Sequence, residues 1–214
     1  MDMSRPFPRL KRGLVAILRG LKPENAHAIA ASLFEAGIEA IEVPLNSPEP
    51  FRSIETIVKA LPSSALVGAG TVLTTENVDR LHDVGGQLLV SPNVDGGVLD
   101  RAGEHGMVTM PGVFTPTEAF QALRHGASAL KFFPASVLGA NGIAAIRAVL
   151  PKDAVIGAVG GVSEKDFGDY GKIGVETFGL GSSLFKPDWT AHEIGQRAKA
   201  SVEAWDAVFG KSAA

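Results

Sequence analysis

The chain has 214 residues, of which 45% are hydrophobic and 20% are charged, and its formal net charge is −3. This length suits one large domain, and the composition is ordinary for a globular protein with a sizeable core. The small negative charge and the lack of a basic run argue against a nucleic-acid-binding surface. The sequence has no cysteine, which excludes disulfides, thiolate metal sites and cysteine catalysis.

The sequence also lacks the long apolar runs that targeting and membrane segments need. The first residues contain no apolar h-region, and no run approaches the roughly 18 apolar residues of a membrane span. We therefore expect a cytoplasmic protein without a membrane partner.

Eight short apolar runs recur about every 20–26 residues, and a segment with helical periodicity follows each of them. The runs begin near Leu14, Ala40, Ala65, Leu88, Val108, Ala129, Ala154 and Glu176. Capping residues followed by proline or an acid mark helix starts at Ser47-Pro48-Glu49, Thr74-Thr75-Glu76, Thr115-Pro116 and Ser163-Glu164. Glycines at positions suited to helix ends are Gly37, Gly85, Gly106 and Gly126.

Eight βα units of this length predict a (β/α)8 TIM barrel of the α/β class. We expect a single domain over residues 1–214, with a short N-terminal extension (1–13), a closing helix (189–209) and a frayed tail (211–214). A doubly wound sheet is the alternative, but it usually has fewer strands in this length and a glycine-rich first loop. Active sites of barrels form at the C-terminal ends of the strands.

Lys131 is a cation within the aliphatic and aromatic run 129–134. Alternation turns Lys131 into the barrel, since Leu130 and Phe132 suit the outer face that packs on helices. Burying an ammonium group costs several kcal/mol (order of magnitude), and a lowered pKa that leaves a neutral amine relieves this cost. A neutral amine attacks carbonyl carbon, so the first hypothesis is Schiff-base chemistry. The alternatives are a lysine that snorkels to solvent or a salt-bridged core lysine.

Glu42 is predicted on the inner face of the second strand, because Ile41, Val43 and Leu45 form its apolar outer face. A carboxylate in a low-dielectric pocket is a candidate general acid or base with a perturbed pKa. The alternative is that Glu42 only balances the charge of Lys131. Together the two residues indicate a joint catalytic role.

Two further strand ends carry candidate binding residues. Arg19 follows the first strand and can grip a carboxylate bidentately, although such an arginine is often only a surface cation. Thr71 follows the third strand and offers a hydroxyl beside flexible glycines, although the same residues suit a plain tight turn.

Glycine-rich segments close the seventh and eighth strands. Gly160-Gly161 follows Val159, and Gly181-Ser182 follows the eighth strand. These two loops form the common phosphate site of the barrel fold, where backbone N–H groups meet an anion. The pattern indicates a phosphorylated substrate. The alternative is that the glycines serve only tight barrel turns.

The sequence carries no metal or dinucleotide signature, so we expect no cofactor. The five histidines fall in predicted helices or helix ends without a metal-ligand spacing. The pair His192-Glu193 begins like HExxH, but the position of the second histidine is Gln196.

In chain order, the motifs resemble those of the class I KDPG/KHG aldolases. They are Ala16-Ile17-Leu18-Arg19-Gly20, Ile41-Glu42-Val43-Pro44-Leu45-Asn46-Ser47, Gly68-Ala69-Gly70-Thr71, Ser91-Pro92-Asn93, Leu130-Lys131-Phe132-Phe133-Pro134, Gly160-Gly161-Val162 and Gly181-Ser182. The resemblance covers residues 14–185. It implies a trimeric, metal-independent lyase that cleaves a phosphorylated 2-keto-3-deoxy sugar acid to pyruvate and glyceraldehyde 3-phosphate.

The resemblance also implies a role for each matched residue. Lys131 would form the Schiff base with the C2 ketone, and Glu42 would shuttle protons. Arg19 and Thr71 would hold the pyruvate-derived end of the substrate. The remaining substrate-binding residues would be Pro92, Val159, Gly160, Gly161, Gly181 and Ser182. The last four of these would lie at the phosphate.

Three segments resemble the branch of the family that acts on the galactonate epimer. Gluconate-type members typically have Thr-Leu-Arg, Ser-Pro-Gly and Thr-Gly-Gly where this chain has Pro44-Leu45-Asn46, Ser91-Pro92-Asn93 and Val159-Gly160-Gly161. The expected substrate is therefore 2-dehydro-3-deoxy-6-phosphogalactonate. The gluconate epimer and 4-hydroxy-2-oxoglutarate stay open as alternatives. Two other functions also stay open: a barrel epimerase or isomerase that uses Glu42 without a covalent step, and a non-catalytic protein that binds sugar phosphates.

Overall fold

The computed structural model describes residues 5–210, so the predicted tail (211–214) and the first four residues of the predicted extension lie outside it. The strands are β1 (Leu14–Ile17), β2 (Ala40–Pro44), β3 (Leu66–Gly70), β4 (Leu88–Val90), β5 (Val108–Met110), β6 (Gly112–Val113), β7 (Leu130–Phe132), β8 (Ile156–Val159) and β9 (Thr177–Leu180). The helices are α1 (Pro23–Glu35), α2 (Pro50–Ala60), α3 (Thr75–Asp83), α4 (Gly96–Glu104), α5 (Pro116–Arg124), α6 (Ala135–Arg147), α7 (Phe167–Lys172) and α8 (Ala191–Phe209). A short 3-10 turn (Glu164–Asp166) precedes α7.

The strands form one parallel sheet in the order β5-β4-β3-β2-β1-β9-β8-β7-β6. The predicted fifth strand is split into β5 and β6 at Pro111, which has no N–H for the ladder. Hydrogen bonds from Ala129 N to Thr109 O (3.1 Å) and from Lys131 N to Pro111 O (2.9 Å) join this strand to β7. The sheet is therefore nearly closed, and the predicted (β/α)8 barrel is confirmed.

Each strand separates two apolar clusters, one inside the barrel and one beneath the helices. Leu130 and Phe132 belong to the outer cluster, as do Ile41 and Val43. The inner cluster consists of Val15, Ala40, Leu66, Leu88, Val90, Val108, Met110, Ala129 and Val159. The predicted inward direction of Lys131 and Glu42 follows from this alternation, because both lie between outward-facing neighbours.

Helix ends follow the local sequence signals, with two corrections. Thr115 and Glu118 form a capping box at the start of α5, and Thr74 caps α3. The helix predicted from Ser47 begins at Pro50, since the Ser47 hydroxyl accepts a hydrogen bond from Gly20 N (2.9 Å) instead of capping α2. The closing helix begins at Ala191, two residues later than predicted.

The N-terminal end of the barrel is covered by the chain itself. Phe7 and Leu10 pack against the inner cluster from below. None of the helices within residues 5–210 combines the length and apolarity of a membrane-crossing helix. The open end of the barrel is the one at the C-terminal ends of the strands.

Candidate active site

A cavity of about 280 Å³ lies at the C-terminal ends of the strands. All ten residues predicted from the sequence line it: Arg19, Glu42, Thr71, Pro92, Lys131, Val159, Gly160, Gly161, Gly181 and Ser182. Ile17, Phe133, Val162 and Gly179 complete the lining. The barrel thus brings together residues that lie far apart in the sequence, from Ile17 to Ser182.

Lys131 projects from β7 into this cavity and is only 6% exposed. Its Nζ donates a hydrogen bond to Ser91 O (3.3 Å) and lies 4.6 Å from the centroid of the Phe133 ring. Burial lowers the pKa of Lys131, the positive charge of Arg19 lowers it as well, and the negative charge of Glu42 opposes the shift. The lowered pKa agrees with the prediction from the apolar residues that surround Lys131 in the sequence.

Glu42 projects from β2 and is 2% exposed. Its Oε2 atom has no hydrogen-bond partner among the described residues. Burial raises the pKa of Glu42 to about 7, although the charges of Lys131 and Arg19 act in the opposite direction. A carboxyl group with this pKa can both accept and return a proton near neutral pH.

The two buried groups are electrostatically coupled without forming an ion pair. Each affects the pKa of the other, and no ion pair of the described residues includes Lys131. A salt-bridged core lysine was one alternative for Lys131, and the ion pairs of residues 5–210 do not support it. An amine with a lowered pKa next to a proton acceptor is the arrangement that imine chemistry requires.

Arg19 lies at the rim of the cavity, two residues after β1, and its side chain is exposed. Its Nη1 donates a hydrogen bond to Asn46 Oδ1 (2.6 Å) in the loop after β2. The guanidinium keeps further N–H groups for a ligand, because only this one bond of its side chain is made within residues 5–210. Arg19 can therefore bind an anion that enters the mouth.

Thr71 directly follows β3 and has a left-handed backbone with φ of 57°. This conformation is rare for a β-branched residue and costs on the order of 1–3 kcal/mol. Such strain concentrates at ligand sites, where the surrounding structure maintains it. The sequence offered no signal of it, because the motif would suit an ordinary turn.

The loops after β8 and β9 form one side of the cavity. Gly160 and Gly161 have φ of 91° and 73°, which L side chains rarely adopt. The Ser183 hydroxyl donates to Val162 O (3.2 Å) and so joins the two loops. Within residues 5–210 the amide nitrogens of Gly161 and Ser182 donate no hydrogen bond, which leaves N–H groups for an anion.

Three contacts of the site went unrecognised in the sequence. They are the Ser91 carbonyl that accepts from Lys131, Asn46 that accepts from Arg19, and Gly70 that leaves room for the Glu42 carboxylate. The only sequence signal for the last was the glycine itself, within Gly68-Ala69-Gly70.

Comparisons with known proteins agree on one family. The family model described as KDPG and KHG aldolase matches residues 9–200. The chain is 63% identical over 205 residues to the probable 2-dehydro-3-deoxy-6-phosphogalactonate aldolase of Rhizobium meliloti (strain 1021), covering 96% of this chain and 97% of that protein.

Two solved structures match closely. A structure described as native KDPGal superposes with a TM-score of 0.92 at 43% identity, covering 95% of this chain and 98% of the other. A cube-shaped protein cage, designed by fusing symmetric oligomeric domains, gives a TM-score of 0.91 at 44% identity, covering 92% of this chain and 73% of the cage chain.

Proposed function

The chain belongs to the KDPG and KHG aldolase family, and from this premise we propose that it is a class I aldolase whose Lys131 forms a Schiff base with a 2-keto-3-deoxy-6-phospho sugar acid. One observation carries the proposal. Lys131 is buried without a carboxylate partner, in the same cavity as a Glu42 oxygen that has no hydrogen-bond partner. Burying both groups costs stability, and ionisable groups buried in this way are typical of active sites, where the chemistry needs shifted pKa values.

In the proposed reaction the neutral Lys131 amine attacks the C2 ketone, and loss of water from the carbinolamine gives a protonated imine. The Glu42 carboxylate takes the proton of the C4 hydroxyl, directly or through a water molecule. The C3–C4 bonding electrons move into the C2–C3 bond, and the electrons of the C2=N double bond move onto the nitrogen, which loses its positive charge as the enamine forms. Glyceraldehyde 3-phosphate leaves as the aldehyde. Glu42 then returns the proton to C3, and hydrolysis of the imine releases pyruvate and the free amine.

Other lining residues bind the two ends of the substrate in this proposal. Arg19 and Thr71 hold the pyruvate-derived carboxylate, with Pro92 against the same end. The glycine loops at Gly160-Gly161 and Gly181-Ser182 bind the phosphate through backbone N–H groups. The free amides of Gly161 and Ser182 and the positive φ values of the first loop support this assignment.

The preferred substrate is 2-dehydro-3-deoxy-6-phosphogalactonate, as part of galactonate catabolism. The name of the Rhizobium meliloti relative supports this choice. So does Val159, because its buried methyl groups replace a threonine hydroxyl that gluconate-type members would present to the sugar. One hydrogen bond is worth about 0.5–1.5 kcal/mol, so the gluconate epimer should be a slower substrate rather than an excluded one.

We also propose a cytoplasmic homotrimer. The cage built from symmetric oligomeric domains supports an oligomer. Exposed apolar side chains in segments that follow β3, β6 and β7 are candidates for its interface, namely Leu73 (48% exposed), Phe114 (38%) and Val137 (71%). Sedimentation equilibrium of the purified protein tests the trimer, and a monomer at micromolar concentration would contradict it. Cell fractionation tests the location.

Borohydride trapping tests the Schiff base. The protein is incubated with pyruvate and borohydride and digested, and a reduced pyruvyl adduct is expected on the peptide that carries Lys131. Lys131→Met should form no adduct and have no turnover. A non-covalent epimerase or isomerase would give no adduct in the wild type either. A non-catalytic binding protein would bind sugar phosphates equally well before and after the substitution.

A paired comparison of the two epimers tests the substrate. The purified enzyme should have the higher kcat/KM for the galactonate epimer. A much higher value for the gluconate epimer would refute the substrate assignment but leave the Schiff-base chemistry intact.

A further inference from the structure

Two hydrogen bonds join the loop after β1 to the loop after β2. Arg19 Nη1 donates to Asn46 Oδ1 (2.6 Å), and Gly20 N donates to Ser47 Oγ (2.9 Å). Gly20 has φ of 87°, so the backbone turns sharply directly after Arg19. The side chains of the consecutive residues Asn46 and Ser47 thus accept hydrogen bonds from the consecutive residues Arg19 and Gly20. Arg19 donates from its side chain, and Gly20 donates from its backbone.

Asn46 accepts the one hydrogen bond that the Arg19 side chain donates within the described residues. An exposed arginine has several freely rotating bonds, and ordering them on ligand binding opposes binding. A single short hydrogen bond reduces this loss, because it already restrains the guanidinium of a side chain that lines the cavity. The other N–H groups of the Arg19 guanidinium stay available to bind a ligand.

We propose that Asn46 is a positioning residue, which orients the Arg19 guanidinium toward the substrate carboxylate while leaving its charge intact. This inference rests on the proposed aldolase function and extends it. It assigns a task to a residue that does not itself line the cavity.

The neutrality of Asn46 matters to the inference as much as its geometry. An aspartate there could accept the same hydrogen bond, but its charge would offset the guanidinium charge that attracts the carboxylate. Arg19 also acts on the buried pair, since its charge lowers the pKa of both Lys131 and Glu42. Asparagine holds the cation without changing this field.

A double-mutant cycle on the full chain tests the inference, with pyruvate and borohydride as the probe. The half-saturating pyruvate concentration reports binding, and the limiting inactivation rate reports imine formation. Asn46→Ala should raise the half-saturating concentration about tenfold, the lower end for a hydrogen bond to a charged group. The limiting rate should stay within about threefold. In an Arg19→Ala background the same change should have no further effect.

Two more variants sharpen the test. Asn46→Asp should also raise the half-saturating concentration although it keeps an acceptor, because it offsets the Arg19 charge. Asn25→Ala, the same change at an exposed asparagine on α1, should have no effect. The inference is overturned if Asn46→Ala raises the half-saturating pyruvate concentration by the same factor in the Arg19→Ala background as in the wild type. It is also overturned if Asn46→Ala leaves that concentration unchanged in the wild type. A wild type that forms no adduct would instead overturn the proposed function and this inference with it.

Discussion

The Glu42 carboxyl group occupies the space that a side chain at Gly70 would need. A Cβ atom built on Gly70 would lie 1.9 Å from Glu42 Oε2 and 2.4 Å from its carboxyl carbon. Gly70 ends β3, the neighbour of β2, and Glu42 has no hydrogen-bond partner for that same oxygen among residues 5–210. The glycine therefore sets where the candidate proton acceptor can lie.

Gly70→Ala should remove most turnover, because the new methyl group forces the Glu42 side chain out of its position. We expect kcat to fall by at least about a hundredfold, since general acid–base catalysis typically contributes 10²–10⁴. Borohydride trapping with pyruvate should persist. Gly168→Ala is the matched control, because nothing lies within 4 Å of a Cβ there. Equal activity of the two variants would contradict the role of this contact.

Glu42→Gln should stabilise the protein at neutral and higher pH. Burial raises the pKa of Glu42 from its ordinary 4.5 to about 7. The folded state therefore holds this proton more tightly than the unfolded state, and wild-type stability falls as the pH rises from about 4.5 to about 7. The full difference is about 3 kcal/mol. A glutamine does not titrate, so the free energy of unfolding of the Glu42→Gln variant does not fall over this pH range for this reason.

Denaturant unfolding at several pH values measures the effect. The gain in the free energy of unfolding for Glu42→Gln should be near zero at pH 4.5 and grow to its full value above pH 7. Glu203→Gln, the same change at an exposed position on α8, is the matched control for replacing a carboxylate by an amide. A gain for Glu42→Gln that is constant over this range would show that the carboxyl group is not desolvated.

Ser183→Ala should weaken binding of the phosphorylated substrate. The Ser183 hydroxyl joins the two glycine loops through its bond to Val162 O, and Arg197 Nη1 donates to the Ser183 carbonyl (3.4 Å). Loss of the hydroxyl bond should raise KM about two- to tenfold with little change in kcat. Half-saturation by pyruvate, which has no phosphate, should not change. A parallel rise for pyruvate would mean that the loops do not bind the phosphate end.

Val159→Thr should shift the epimer preference toward the gluconate substrate. The substitution keeps the shape of a side chain that packs inside the barrel and adds a hydroxyl at the cavity wall. The ratio of the two kcat/KM values should move about two- to tenfold. Val43→Thr places the same hydroxyl under the helices on the outer face of β2. It should lower stability by about 1–3 kcal/mol but leave the ratio unchanged.

The repeat of apolar runs determined the barrel, and alternation within a run determined that Lys131 and Glu42 face inward. Both follow from local geometry, since side chains of a strand alternate and a barrel strand must pack its outer face on helices. The resemblance of the motifs to those of the aldolase family supplied further lining residues, such as Pro92, that geometry alone does not single out. The barrel and the inward direction of Lys131 and Glu42 could be predicted because they depend on neighbours along the chain.

Tertiary structure alone decided which atoms meet at the mouth. Lys131 bonds the carbonyl of a residue 40 positions away, and Arg19 bonds Asn46 across 27. The left-handed backbone of Thr71 and the use of Ser47 to hold Gly20, rather than to cap α2, likewise had no local signal. Such contacts depend on loop paths and side-chain rotamers that are set only in the closed barrel. The energies of these contacts are comparable to local conformational preferences, so the contacts can override those preferences.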